Sequence, residues 1–151
     1  MKVDRALSEP GADPISSLIP AVAKAHRKLA GALLQDLGLA PGQELAMMLL
    51  WEESPRSQVD LTRLLMVEAP TTAKMLARLE RSGMITRERS EVDRRVVLVS
   101  LTDAGRALEE PVTSVWRDLE ARTTTDLTLS EQGQLRSLLT RVAETLTQVE
   151  A

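Results

Sequence analysis

The spacing of apolar and polar positions changes along this chain, and each change marks an element. Ile15, Leu18, Ile19, Val22, Leu29, Leu33 and Leu37 keep a helical rhythm that Gly38 is placed to stop. A second helix is expected to begin at Pro41. From Leu45 to Trp51 it is apolar all round, which makes it central. Glu52-Glu53-Ser54-Pro55-Arg56 closes it and forms a linker. Leu61, Leu64 and Leu65 then recur behind Ser57-Gln58-Val59-Asp60, a spacing in which Ser57 caps a short helix and Asp60 reaches back. Only Met66 to Ala69 separates that helix from the next, so the two are expected to cross steeply as a helix-turn-helix.

The second of these helices has two unlike faces. Thr71, Lys74, Arg78 and Arg81 fall at intervals of three and four on one, with Met75, Leu76 and Leu79 on another. Pro70 suits its first turn and Gly83 its end. A helix with this pattern buries one side and offers the other to a polyanion. Two β-branched or alternating runs follow, 84–89 and 95–101, and predict a hairpin whose tip, Ser90 to Arg94, exposes Glu91, Asp93 and Arg94, with Arg95 at the strand edge. Arginines on a thin ribbon can enter a minor groove that a whole helix cannot. Beyond it, Thr102 caps a helix from Asp103, in which Pro111 predicts a bend near Glu110. Ser130 is expected to cap a last helix carrying Leu135, Leu138, Leu139, Val142, Leu146 and Val149. The fold class is therefore mainly α with a small β-hairpin wing.

Composition narrows the reading. With 151 residues, 43% of them hydrophobic, there is material for one compact domain or a two-part subunit and no separate catalytic domain. No apolar run is long enough to span a bilayer, and the acidic, proline-containing start is unlike a signal peptide, so a cytoplasmic location is expected. The net charge of −3 conceals a division: residues 61–101 hold eight Lys/Arg and five Asp/Glu, a local +3 that leaves −6 for the remainder. Local charge governs counterion release, so the acidic total is compatible with a basic binding face of modest non-specific affinity. Cysteine is absent and histidine occurs once, which leaves no disulfide, no thiolate metal site and no partner for a second imidazole ligand; neither metal nor cofactor is expected. The lone His26 lies near the first apolar stripe, as a partly buried imidazole or a ligand contact. It also stands apart from any Ser or Thr nucleophile, no phosphate loop occurs, and Glu52-Glu53 and Glu109-Glu110 read as solvated helix ends, so an enzyme is not expected.

Several stretches together resemble the MarR family of winged helix-turn-helix transcription regulators: Asp60-Leu61, Leu79-Glu80-Arg81-Ser82-Gly83-Met84-Ile85, Asp93-Arg94-Arg95 and Leu101-Thr102-Asp103-Ala104-Gly105-Arg106. The match runs over roughly residues 37–108, and the flanking helices agree in pattern. The resemblance implies residues 41–101 as the DNA-binding domain and 15–38 with 103–151 as a helical dimerisation region; residues 1–14, with little periodicity, are expected to be a loosely ordered start. It implies a homodimer on double-stranded DNA, reading inverted half-sites about one turn, roughly 34 Å, apart, with repression the commoner habit. Thr71, Thr72, Lys74, Arg78 and Arg81 then become candidates for the major groove. In the wing, the family's aspartate that orients a basic residue two positions on maps to Asp93 and Arg95, with Arg94 on phosphate. Arg56 and Ser57 are possible phosphate contacts, a solvated loop arginine being the alternative.

The family also takes small, often aromatic or anionic effectors in a crevice beside the winged domain. His26, Arg27, Met47, Met48, Trp51 and Trp116 are candidates for its lining, or else Met and Trp belong to the core. No Tyr or Phe is available to rebuild phenol-rich pockets, and without cysteine the thiol-oxidation sensing of some members is excluded. Two departures bear on DNA affinity. Glu68 stands where the family has a small N-cap and is expected to cap poorly and to repel phosphate, and the wing tip lacks Pro and Gly. The rival reading is a winged-helix module that binds protein without sequence-specific DNA binding.

Overall fold

A computed structural model describes residues 14–149, so the expectation for the N-terminal stretch 1–14 falls almost wholly outside it. The chain divides after Trp116 into two compact units. In the first, helix α1 (Ile15–Leu34) runs through one 3-10 turn to Gly38, whose φ of 72° supplies the left-handed stop. Helix α2 (Gln43–Glu52) starts two residues later than Pro41, behind Gly42 at φ 97°. Its opening is self-capped: Gln43 Oε1 accepts from the Ala40 N–H at 2.9 Å and Glu44 Oε2 from that of Gly42 at 2.8 Å. Ala46, Met47 and Leu50 are buried, which makes α2 central, although Leu45 is 42% exposed. Strand β1 (Arg56–Ser57), helix α3 (Gln58–Leu65), helix α4 (Ala69–Arg81), and strands β2 (Ile85–Arg89) and β3 (Val97–Leu101) complete the winged domain.

The expected two-stranded ribbon is in fact a three-stranded antiparallel sheet in the order β1-β3-β2. Arg56 lies opposite Val99 on one side of β3, and Arg87 lies opposite the same residue on the other. A two-residue strand has no periodicity to read; its identity comes from pairing with a partner some forty positions away. The core packs Leu34, Leu39, Met47, Leu50, Leu61, Leu76, Leu79, Ile85, Val99, Leu101 and Val112 between α2, the helix pair and the sheet.

Helix α5 (Asp103–Ala107) is capped by Thr102, which accepts from the Gly105 N–H at 3.0 Å and donates to the Gly83 carbonyl at 2.6 Å. The bend expected near Glu110 occurs at Leu108, where α5 ends and α6 (Glu109–Thr123) begins, so that Pro111 occupies a first turn that needs no N–H from it. In the second unit, helix α7 (Leu129–Gln148) is capped by Thr128 and not by Ser130. Thr128 and Glu131 satisfy each other's backbone N–H groups in a full capping box. Leu135, Leu138, Leu139, Val142 and Leu146 are exposed along α7, and Ile15, Leu18, Ile19 and Val22 along α1. Among the described residues no helix is long and apolar enough to cross a membrane, and no group of His, Asp and Glu is placed to hold a metal ion.

Candidate nucleic-acid interface

Helix α4 is held at both ends by its own backbone. Pro70 lies in its first turn, while Glu68, at the N-cap, makes no side-chain cap, as its length predicts. At the other end the Met84 N–H donates to the Leu79 carbonyl and that of Gly83 to Glu80, both at 3.0 Å, the two-bond closure that a left-handed glycine permits; Gly83 has φ 79°. Between these ends Leu76 and Leu79 are fully buried, and Thr71, Lys74, Arg78 and Arg81 are exposed together. Lys74, Arg78 and Arg81 have no ion-pair partner among the described residues. Thr71, Lys74 and Arg78 also form one wall of a groove whose other wall is Ala40, Pro41 and Gln43.

Thr72 does not belong to that face. Its side chain is completely buried, because a helix turns 100° per residue and Thr72 stacks with Leu76 and Leu79. Its hydroxyl has no hydrogen-bond partner among the described residues. Thr72→Val is therefore expected to raise stability by up to about 1 kcal/mol, since it removes an unsatisfied buried hydroxyl, and to leave DNA affinity unchanged. A thermal melt paired with a DNA titration checks both halves; a tenfold loss of affinity would return Thr72 to the interface.

The wing is built on short polar contacts. Ser90 and Val96 close its tip through a backbone bond of 2.8 Å, and Ser90 Oγ accepts from the N–H groups of Val92 and Asp93. This serine takes the part that Pro or Gly plays elsewhere in such loops. Asp93 Oδ1 accepts from both the backbone N–H and Nε of Arg95, at 3.0 and 3.1 Å, and Oδ2 accepts from Nη2 at 3.1 Å. The guanidinium is thus fixed in direction while 90% of the side chain stays exposed. These bonds, the side-chain one first, hold the Asp93 carboxyl below the ordinary aspartate range. A depressed carboxylate keeps its partner at neutral pH and loses it only as pH falls through that lowered value. Arg94 is exposed, and its carbonyl accepts from Arg89 Nη1 at 2.8 Å.

Two features of this region had no role assigned from the sequence. Glu80, on α4, accepts the Arg87 N–H at 3.0 Å and its Nη2 at 3.1 Å, which ties the cationic helix to β2; the Arg87 guanidinium holds the Glu80 carboxyl low. Val92 stands 99% exposed at the wing tip. Arg56 is not the solvated loop side chain of the alternative reading, and its guanidinium is already engaged within the fold. Only 13% exposed, it pairs with Glu52, Glu53 and Asp60 and donates Nε to the Leu49 carbonyl at 3.0 Å. Ser57 caps α3 by accepting the Asp60 N–H at 3.0 Å, which leaves its own O–H free to donate. Asp60 turns to Arg63 and Arg56 instead of reaching back.

Of the six crevice candidates, His26, Arg27 and Trp116 line one cavity of about 300 Å³ together with Ala23, Ala30, Pro41, Gly42, Glu44 and Leu45. Met47 is fully buried in the core, and Trp51 packs against that core and donates Nε1 to the Gly105 carbonyl at 3.0 Å. Met48 does not line the cavity. Helix α2 presents Met47 and Trp51 to the interior, as its apolarity implied, and leaves Met48 half-buried.

Comparison with known proteins agrees with this geometry. The profile of the MarR family matches residues 39–97. An organic hydroperoxide resistance transcriptional regulator of Bacillus subtilis (strain 168) is 38% identical over 121 residues, covering 77% of this chain and 78% of that protein. Among solved structures, a probable transcriptional regulator from Pseudomonas aeruginosa superposes with a TM-score of 0.81 at 33% identity, over 86% of this chain and 97% of that one. A mutant MarR from E. coli complexed with operator DNA superposes at 0.80 and 30% identity, over 85% and 93% respectively.

Proposed function

This chain belongs to the MarR family, and from that premise we propose that it regulates transcription as a homodimer whose α4 enters the major groove while Arg95 enters the adjacent minor groove. The carrying observation is the row of cations at Lys74, Arg78 and Arg81, unpaired among the described residues, on a helix whose opposite side is core. Unneutralised cations aligned on one helix face repel one another, and a duplex phosphate backbone relieves that repulsion with counterion release. Thr71 joins them at the start of the helix, and Arg94 takes phosphate beside the wing. The chain is a DNA-binding transcriptional regulator like its relatives, and acts in the cytoplasm as a repressor.

Two copies are needed for symmetric half-sites, and the apolar residues exposed on α1 and on α7 supply the surface for pairing. The helical regions 15–38 and 103–151 thus serve dimerisation and 41–101 serves DNA. The cavity at His26, Arg27 and Trp116 is the effector site. An effector there releases DNA only through unequal affinity for the free and bound conformations.

Arg95→Ala tests the reading. Operator affinity should fall about 10- to 100-fold, the range for a lost base-reading arginine, and Asp93→Asn should fall partway, since it loosens the direction of the guanidinium without removing it. Unchanged affinity in both variants would contradict the wing assignment and favour a protein-binding winged helix.

A further inference from the structure

The arginines that are largely withdrawn from solvent in the winged domain are paired: Arg56 with three carboxylates and Arg87 with Glu80. The cavity beside α1 breaks that habit. Glu44 is 4% exposed, yet among the described residues no cationic side chain lies within ion-pair distance of it. Its Oε2 takes the Gly42 N–H, and no described side chain bonds to the carboxylate. Burial pushes this carboxyl above the ordinary glutamate range; the backbone N–H groups of Glu44 and Gly42 oppose that, and Arg27 and His26 do so more weakly, near enough to be felt and too far to pair. Arg27 and His26 line the same cavity without ion-pair or hydrogen-bond partners among the described residues. Trp116, which also lines the cavity, has a buried indole N–H with no acceptor among them.

Glu44 has exchanged most of its water for backbone N–H groups with no countercharge, which is costly for a carboxylate, while at the same cavity Arg27 stays exposed and His26 half-buried, neither with a side-chain partner among the described residues. A simple carboxylate would suit Arg27 and place a like charge beside Glu44. A simple amine would do the reverse. A molecule that carries both groups a few bonds apart satisfies both ends at once. We propose that this cavity binds a small zwitterion of the amino-acid type, its ammonium group on Glu44, its carboxylate toward Arg27 and His26, and an apolar side chain against Ala23, Leu45 and Trp116. The proposal rests on the reading of the cavity as the effector site and specifies the chemistry that site selects.

Calorimetric titration of the full chain with each of the twenty amino acids tests it, each binder being compared with its des-amino carboxylate and its decarboxylated amine. At least one amino acid should bind about tenfold or more tightly than either truncated form, the step that removal of one charged hydrogen bond produces. Glu44→Gln keeps an oxygen for the Gly42 N–H and so preserves the start of α2; it and Arg27→Gln should each weaken that binding by a similar factor. A carboxylate that binds as well as its parent amino acid, and is indifferent to Glu44→Gln, overturns the zwitterion while keeping the effector site. If no amino acid binds, the zwitterion is overturned, and failure of a panel of aromatic acids as well removes the effector site with it.

Discussion

Gly105→Ala is expected to cost on the order of 3 kcal/mol, through overpacking against backbone, and so to lower the unfolding midpoint by roughly 10 °C in a chain of this size. A Cβ at position 105 would lie 2.1 Å from the Met84 carbonyl oxygen and 3.1 Å from its carbon, and backbone atoms cannot swing aside as a side-chain tip does. Relief by movement is blocked on every side. The Gly105 N–H is held by Thr102, its carbonyl accepts from Trp51 Nε1, and Thr102 is itself bonded to Gly83 at the end of α4. Shifting α5 away from Met84 therefore strains the junction between α4, the sheet and the core. Gly133→Ala in α7 is the control: nothing lies within 4 Å of its added Cβ, so it should raise stability by about 0.5–1 kcal/mol. Thermal melts followed by circular dichroism compare the two, and a Gly105→Ala shift under 2 °C would show that the close approach relaxes freely.

The double variant Lys74→Gln, Arg78→Gln should reduce operator binding on the order of a thousandfold, as two cations are removed from each half-site and four from the dimer. It should also flatten the dependence of affinity on salt by roughly 0.9 for each phosphate that is no longer neutralised. Both residues are exposed and neither is paired among the described residues, so the fold has no stake in them and the melting temperature should stay within about 2 °C, surface changes being worth only tenths of a kcal/mol. That combination separates a binding surface from a structural one. Retained affinity with an unchanged salt slope would move the interface off α4.

The parts of this molecule visible in its sequence are those governed by local rules. The polar and apolar faces of α4, its glycine stop, the hairpin and the Thr102 cap all follow from period, turn chemistry and capping within a few residues. Some misreadings concern equally local signals. Thr72 falls four and seven positions before Leu76 and Leu79, which places it inside. Thr128 precedes Glu131 by the capping-box interval, a stronger start than Ser130. Arg56 has carboxylates at its i−4, i−3 and i+4 positions, and that pattern alone argued for internal pairing. Other features depend on chain segments far apart. Strand β1 exists because Arg56 and Ser57 meet β3, and Leu101 donates its N–H to Ser54 Oγ across the same junction at 3.1 Å. Gly105 is legible as part of a motif, while the reason for glycine, an intruding carbonyl twenty-one residues earlier, is not. The Glu44 cavity is hidden for the same reason, since its lining comes from α1, the start of α2 and α6.

The central claim is that two copies of this chain read an inverted repeat with α4 and the wing. Selection of bound sequences from random duplex DNA, followed by affinity measured across salt concentrations, tests it most directly. The account predicts an enriched inverted repeat with half-site centres about one helical turn apart, and affinity that falls steeply as salt rises. Absence of any enriched sequence, with negligible binding even at low salt, would contradict it.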